Sequence, residues 1–158
     1  MIIVNKEKFM MKAIELSKKS IDKGGGPFGC VIVKKNKVIA EGYNQVTIKN
    51  DPTAHAEIVA IRKACKALDT FDLKGVEIFT SCEPCPMCLS AIYWAHINKI
   101  YYGNSRQDAA LIDFDDELIY NELKLDIDQR KIQMSQINNK EALEVFKLWD
   151  KKLDKTKY

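Results

Sequence analysis

The fold of this chain is decided by residues 76–103, which have the sequence VEIFTSCEPCPMCLSAIYWAHINKIYYG. Residues 76–80 predict a strand, because apolar and β-branched side chains dominate them. The pair Cys85-Pro86 predicts the start of a helix, since proline is favoured at the first helical position, and this helix is expected to continue through Trp94. Residues 99–103 predict a second strand. The segment therefore supplies a strand, a helix and a strand in succession.

A further helix, a hairpin and a second helix are predicted before this segment. Residues 5–23 place apolar side chains at three-to-four spacing among lysines, which predicts an amphipathic helix that ends at three consecutive glycines. Residues 29–33 and 38–43 predict a hairpin with a polar tip. The pair Asp51-Pro52 is expected to start a helix that runs to about residue 68, with the aspartate as its N-cap.

These elements predict the fold class. Residues 30–33 and 76–79 are nearly continuous in apolar side chains, which is expected when helices cover both faces of a sheet. We therefore predict an α/β protein, a three-layer α/β/α sandwich with a central mixed sheet of about five strands. Further helices are predicted around residues 115–123 and 140–153. No repeat or linker interrupts the sequence, so residues 1–158 are expected to form a single domain.

The composition indicates one soluble domain with a functional cysteine cluster. Its 158 residues are 46% apolar and carry a formal net charge of +3, so the chain can bury a core without disulfides or a structural metal. The apolar run at the N-terminus is too short for a signal peptide, and no later run approaches membrane-spanning length. Of five cysteines, three lie within residues 82–88, which favours a metal or reactive cluster in a reducing compartment. We therefore expect a cytoplasmic protein.

Two short motifs at predicted helix starts supply a metal site. The segments 55–57 (HAE) and 84–88 (PCPMC) together match the H-x-E and P-C-x-x-C signature of zinc deaminases. His55, Cys85 and Cys88 would give Zn²⁺ three protein ligands and leave its fourth tetrahedral position open, as in catalytic sites. Residues two apart do not share one side of a helix, so the metal is expected at the end of the helix that carries His55. Glu57, a carboxylate beside the metal, is the predicted acid/base catalyst.

The remaining cysteines and the second histidine favour other roles. Cys82 extends the pattern to C-x-x-C-x-x-C, but an iron–sulfur run of the ferredoxin type needs a further cysteine where Ile92 stands. Cys82 is therefore predicted to be a buried residue at a strand end, and Cys30 and Cys65 to be small core residues. His96 has no partner at ligand spacing and is predicted to be structural.

Six blocks of sequence carry a resemblance to known proteins. They are residues 25–29 (GGPFG), 50–57 (NDPTAHAE), 80–88 (TSCEPCPMC), 91–95 (AIYWA), 114–116 (FDD) and 157–158 (KY). On these blocks, nearly the whole chain resembles the cytidine deaminase-like superfamily and, within it, the bacterial guanine deaminases. Bacterial tRNA adenosine deaminases resemble the second and third blocks, so those blocks indicate the chemistry and leave the base open. The flanking blocks favour guanine.

The resemblance implies hydrolytic deamination of guanine to xanthine and ammonia, a step of purine catabolism, with Zn²⁺ as cofactor and Glu57 as proton shuttle. It also implies that Phe28 and Asn44 line the base pocket and that Asp116 hydrogen-bonds the N–H edge of the purine. An ionised carboxylate suits that edge because it only accepts hydrogen bonds, whereas guanine presents donors at N1 and at its 2-amino group. Asp115 is an alternative candidate for the same role.

The resemblance further implies that a C-terminal segment, about residues 107–158, crosses to a partner subunit in a swapped homodimer. Tyr158 at its end is expected to close the substrate pocket. The chain departs from the family at Leu111, Ile112 and Asp113, where small residues including glycine are usual, so the loop that holds Asp116 is expected to be set differently.

The distribution of acidic residues argues against a nucleic-acid partner. Residues 108–128 contain eight acidic side chains and one basic side chain, a net charge of −7. Beside the pocket, this charge would repel a phosphate backbone, so a small purine base is the predicted partner. The alternatives are a related deaminase of guanosine, cytosine or tRNA adenosine, a zinc-stabilised interaction domain without catalysis, and an RNA-binding module, which the acidic segment disfavours.

Overall fold

A computed structural model describes residues 2–158 of the chain and their side chains from residue 6 onward. The first residue of the apolar N-terminal run, Met1, lies outside the described residues. The chain forms two compact units, one that ends at Asp116 and one that comprises Glu117–Tyr158. In chain order the elements of the first unit are α1 (Ile2–Asp22), β1 (Gly29–Lys34), β2 (Lys37–Tyr43), α2 (Val46–Lys49), α3 (Ala56–Leu68), β3 (Val76–Cys82), α4 (Pro86–Trp94), β4 (Lys99–Asn104) and α5 (Arg106–Ala110).

The strands form one mixed sheet in the order β2-β1-β3-β4. Strand β1 pairs antiparallel with β2 and with β3, and β3 pairs parallel with β4. The expectation of about five strands is wrong for the described residues, whose sheet has four. The sequence beyond β4 continues as helices and loops, so it adds no fifth strand to this sheet.

Alternate residues of the central strands pack on opposite faces of the sheet, which confirms the three-layer arrangement. Ile32 and Ile78 belong to a core cluster with apolar residues of α3 and α4. Their neighbours Val33 and Phe79 belong to a second cluster with Phe9 and other residues of α1. Side chains one residue apart on a strand point to opposite faces, so each strand contributes to both clusters.

Helix α3 lies unusually close to strand β2, because Gly42 has no side chain. A Cβ atom added at Gly42 would overlap the carbonyl oxygen of Ala56 and would lie 2.8 Å from the backbone nitrogen of Ala60. The N-terminal turn of α3 is thereby held directly against the sheet. Its position matters because Glu57 lies in that turn.

The helix starts agree with the sequence in one case and differ in the other. Helix α4 begins with Cys85 as N-cap and Pro86 in its first turn, as predicted. The predicted start of α3 at Asp51 is wrong, because α3 begins at Ala56 with His55 as its N-cap. The side chain of Asp51 instead accepts hydrogen bonds from the backbone nitrogen and hydroxyl of Thr53, at 2.8 and 2.7 Å, and forms a local turn.

The second unit contains helix α6 (Glu117–Glu122), a short 3₁₀ turn (Ile127–Gln129) and helix α7 (Asn139–Lys151). Both helices lie within about two residues of their predicted positions. Helix α7 leaves large apolar side chains exposed, among them Phe146 at 73% and Leu148 at 70%. Across the described part of the chain, no helix combines the length and the apolar character that crossing a membrane requires.

Candidate active site

Three side chains from two helix starts converge on one point. His55 precedes α3, Cys85 precedes α4, and Cys88 lies in the first turn of α4. The Nδ1 atom of His55 is 3.6 Å from the Sγ atom of Cys85 and 3.5 Å from that of Cys88. The three ligand atoms all lie within 4.8 Å of one another. The structure therefore brings together all three residues that the sequence singled out as metal ligands.

The spacing of these atoms fits a tetrahedral zinc ion. Zinc binds imidazole nitrogen at about 2.0 Å and thiolate sulfur at about 2.3 Å, and a tetrahedral angle between two such bonds separates nitrogen from sulfur by about 3.5 Å. The nitrogen–sulfur distances at His55 have this value. One imidazole and two sulfurs are also the soft donor set that zinc prefers.

The two cysteines differ strongly in acidity. Interactions with the neighbouring Cys88 and His55 side chains lower the pKa of Cys85 to about 4, which overcomes the effect of its burial. The interaction with Cys85, together with burial, raises the pKa of Cys88. The metal-free pair therefore holds one thiolate and one thiol. Metal binding displaces the remaining proton, because the thiolate is the ligand form of cysteine.

Glu57 lies beside the ligands on the first turn of α3. It is only 6% exposed, and burial raises the pKa of its carboxyl group. One oxygen, Oε1, accepts a hydrogen bond of 3.0 Å from the hydroxyl of Thr80, and the other, Oε2, accepts one of 3.4 Å from the thiol of Cys88. A carboxylate in this position contacts the metal site without belonging to the group of three ligands.

A pocket of about 370 Å³ opens over the ligands and is formed within the first unit. Its volume lies in the range of sites for small molecules. The predicted substrate residues Phe28, Asn44 and Asp116 all line it. The other lining residues are Gly26, Val46, Thr47, His55, Glu57, Cys82, Glu83, Cys85, Arg106, Ala109, Asp113, Phe114 and Asp115. Tyr158 belongs to the second unit, where it is 73% exposed, so its role at the pocket stays a prediction.

The amide of Asn44 has a defined orientation. Its Oδ1 atom accepts hydrogen bonds from the backbone nitrogens of Gly26, at 3.4 Å, and of Val46, at 3.2 Å. Because these two donors require the oxygen on their side, the NH₂ group is the part of the amide left to face the pocket. Asn44 is 5% exposed, and its own carbonyl oxygen is held by the hydroxyl of the buried Ser20 at 3.0 Å. The pocket therefore presents a fixed hydrogen-bond donor at Asn44.

Aromatic and acidic side chains form another wall. The rings of Phe28 and Phe114 meet edge to face, with centroids 4.9 Å apart and planes at 89°. Of the two candidate acids, Asp116 is partly buried and Asp115 is exposed. Burial raises the pKa of Asp116, and the positive charge of Arg106 opposes that effect. Asp116 is thus the more enclosed of the two acids.

Residues 3–104 match the family described as the cytidine and deoxycytidylate deaminase zinc-binding region. The chain belongs to this deaminase family. Guanine deaminase of Bacillus subtilis (strain 168) is 47% identical to it over 156 residues, which cover 98% of this chain and 100% of that protein. A solved structure of guanine deaminase from Bacillus subtilis has a TM-score of 0.93 and 47% identity, covering 96% of this chain and 98% of that chain.

Similarity to tRNA-specific deaminases is more limited. The tRNA-specific adenosine deaminase of Aquifex aeolicus (strain VF5) is 39% identical over 100 residues, or 63% of this chain and 66% of that protein. Guanine deaminase is matched over both compact units, whereas this relative is matched over fewer than two thirds of the residues. Membership of the family confirms the predicted zinc cofactor and the hydrolytic deaminase class, and it does not favour a zinc-stabilised domain without catalysis.

The loop before Asp116 has an unusual backbone. Asp113 has a φ of 68°, in the left-handed region that glycine adopts most easily. Aspartate tolerates this region better than most residues, because its short side chain can bond locally. The chain therefore makes the turn before Asp116 with an aspartate in a backbone conformation that favours glycine.

Several residues at the pocket of this deaminase, or in contact with its lining, were missed from sequence. Arg106 begins α5, which was not predicted although Ser105 and Asp108 form a capping box that could have indicated it. Cys82 lies at the end of β3 and is 6% exposed, as predicted, but it also lines the pocket. Thr80 is 1% exposed and bonds Glu57. The alternation of Thr80 with the apolar residues Val76 and Ile78 on one face of β3 was the available signal for that contact.

The other cysteines and His96 lie where the sequence placed them. Cys30 is fully buried in the core of the deaminase, and Cys65 packs against the same cluster. His96 adopts a φ of 58° after α4, and its Nδ1 atom lies 3.1 Å from an oxygen of Asp72. His96 thus has the structural role that was predicted.

Proposed function

We propose that this protein is a zinc-dependent deaminase that hydrolyses guanine to xanthine and ammonia. The observation that carries the proposal is the buried Glu57 carboxylate, in contact with one of three zinc ligands at the base of a pocket. The choice of guanine is supported by 47% identity to Bacillus subtilis guanine deaminase over almost the full length of both chains.

The roles of the residues follow from their contacts. Zn²⁺, held by His55, Cys85 and Cys88, would supply a Lewis acid that lowers the pKa of a water ligand to about 7. Cys88 loses its thiol proton when it serves as a ligand, so Oε2 of Glu57 loses that donor and is free to take a proton. Glu57 then accepts one proton from the attacking water and delivers it to N3 of the purine ring. The second water proton passes through Glu57 to the exocyclic amine, which leaves as ammonia. The water oxygen becomes the second carbonyl oxygen of xanthine.

The polar groups of the pocket complement the edges of guanine. Asp116 accepts hydrogen bonds from the N1–H and 2-amino donors, and the Asn44 NH₂ group donates to a ring nitrogen or carbonyl oxygen. Phe28 and Phe114 supply the apolar surface for a planar ring. Three aspartates in the lining, at positions 113, 115 and 116, disfavour a phosphate backbone, so we assign a free base as substrate.

We also propose that the enzyme is a cytoplasmic homodimer in which the C-terminal segment is exchanged between subunits. Exposed apolar side chains along α7, including Phe146 and Leu148, require a covering surface, which a second copy would supply. In this arrangement Tyr158 closes a pocket. Light scattering should give the mass of a dimer. Deletion of the last few residues should raise KM or lower kcat without unfolding the core, whereas wild-type kinetics in the truncated protein would remove the tail from the site.

The test of the reaction uses zinc-replete protein and guanine, with xanthine followed by absorbance and ammonia by a coupled assay. Guanosine, cytosine and a tRNA anticodon stem serve as competing substrates, compared by kcat/KM. We expect guanine to be preferred, and absence of xanthine would end the proposal. The matched control is Glu57→Gln, which should keep its zinc and lose about 10²–10⁴-fold in turnover. Full activity in that variant would remove Glu57 from the mechanism.

A further inference from the structure

We infer that Thr80 is a positioning residue that fixes the rotamer of Glu57 and keeps its Oε2 atom directed at the metal ligands. This inference rests on the proposed role of Glu57. Thr80 is part of β3, one residue beyond Phe79, and is 1% exposed. Its hydroxyl donates a hydrogen bond of 3.0 Å to Oε1 of Glu57.

The register of the sheet directs Thr80 toward the helix that carries Glu57. Thr80 pairs with Cys30 across the antiparallel β1–β3 ladder, and it follows Ile78 by two residues. Cys30 and Ile78 both belong to the core cluster that includes residues of α3. Side chains two apart on a strand lie on the same face, so Thr80 faces α3 as well.

An apolar residue of the same shape would suit this position better unless the hydroxyl had a function. Thr80 is buried on the sheet face whose other members are apolar, and valine has the same branched form. Burying a hydroxyl costs free energy unless it is hydrogen-bonded. Here the hydroxyl bonds a carboxylate, and hydrogen bonds to charged acceptors are stronger than those between neutral groups.

The two oxygens of Glu57 thereby become inequivalent. Oε1 receives the hydroxyl hydrogen of Thr80, whereas Oε2 receives the thiol hydrogen of Cys88. When Cys88 is a thiolate ligand, this second hydrogen is absent, and Thr80 is the side chain that still holds the carboxylate. The bond from Thr80 to Oε1 therefore keeps Oε2 on the side of the ligands.

Five proteins test this inference: wild type, Thr80→Val, Thr80→Ser, Glu57→Gln and the double variant Thr80→Val/Glu57→Gln. Valine keeps the shape and removes the hydroxyl, and serine keeps the hydroxyl. We expect Thr80→Val to lower kcat for guanine about tenfold or more, the loss that a hydrogen bond to a charged group accounts for, while KM changes less than twofold and zinc content stays at one per chain. Thr80→Ser should recover most of kcat. In the Glu57→Gln background, the valine substitution should cause no further loss.

A kcat of Thr80→Val within twofold of wild type would overturn the inference. So would a loss in Thr80→Ser as large as that in Thr80→Val, because the hydroxyl would then be irrelevant. If wild-type protein does not convert guanine, the proposed function fails separately, and the same variants are compared by urea unfolding. Non-additive effects of the Thr80 and Glu57 substitutions, at least fivefold in the unfolding equilibrium constant, support the contact, and additive effects overturn it.

Discussion

The orientation of the Asn44 amide allows a single-atom test of substrate recognition. Its oxygen is occupied by the backbone N–H groups of Gly26 and Val46, so the pocket receives the NH₂ group. In Asn44→Asp, one carboxylate oxygen can keep both backbone bonds, and the second replaces the donor by an acceptor. The shape of the pocket is preserved, while a hydrogen-bond donor becomes an acceptor and a negative charge is added.

The size of the effect follows from the hydrogen bonds involved. A substrate acceptor that meets an ionised carboxylate loses its partner, which costs about 1–3 kcal/mol for a buried group. At 1.4 kcal/mol for each factor of ten, kcat/KM for guanine should fall about 5- to 150-fold. At pH 7 the variant should also lose thermal stability, because Asn44 is 5% exposed and the new carboxylate buries a negative charge, and this loss should shrink as the pH is lowered. Asn44→Ala removes both functions and should lower stability as well as kcat/KM.

The pH dependence provides a second readout for the same variant. A protonated carboxyl group has an O–H donor and can replace the amide, whereas the ionised group cannot. The ratio of Asn44→Asp to wild-type kcat/KM should therefore rise as the pH is lowered and fall as it is raised. A variant that stays within threefold of wild type at pH 7 and shows a flat ratio would refute the assignment of Asn44 as donor to the substrate.

Three further outcomes are expected. Gly42→Ala should lower the free energy of unfolding in urea by about 3 kcal/mol or more, because its Cβ would overlap the backbone of α3, whereas an unchanged urea midpoint would contradict this close packing. After zinc removal by a chelator, iodoacetamide at pH 6 should label Cys85 first, since its pKa is about 4, and zinc should protect it; equal labelling with and without zinc would count against Cys85 as a ligand. The hydrogen bonds from Thr53 lower the pKa of Asp51, so their contribution to stability is present above pH 4 and lost as the pH falls through the lowered value. Thr53→Val should thus be less stable than wild type at pH 7, and the deficit should shrink as the pH falls through the lowered pKa of Asp51. A deficit that does not change with pH would show that the effect is not ionic.

Local signals in the sequence were sufficient for most elements of the fold. Strands β1 to β4 and helices α1 and α4 lie within a few residues of their predicted positions, because apolar periodicity, glycine and proline act over short distances. The number of strands in the sheet could not be predicted from local sequence signals. A fifth strand was expected from the fold class, and the described chain after β4 has other structure.

The residues of the candidate site also fall into those that local sequence predicts and those that it does not. The three metal ligands and Glu57 lie in two short motifs, and the structure brings them together. Thr80 and Arg106 reach the site through strand register and an unpredicted helix, which spacing along the chain does not reveal. Site residues that belong to a short sequence motif could therefore be found from the sequence, whereas those brought to the site by tertiary contacts could not.

The start of α3 was predicted at the wrong residue for a functional reason. Asp51 satisfies the rule for an N-cap, yet the N-cap is His55, whose side chain makes no capping hydrogen bond because it faces the two cysteines. The N-cap position of α3 is thus occupied by a residue of the site instead of a capping residue, and the stability that a cap would add to the helix is lost. If so, in metal-free protein His55→Ser should be about 0.5–2 kcal/mol more stable to urea than His55→Ala, since serine caps the backbone N–H groups of the first turn and alanine does not. Both variants should bind zinc far more weakly than wild type. Equal stability of the two variants would show that other groups bond the free backbone N–H groups of the first turn, and that having His55 at the N-cap does not lower the stability of the protein.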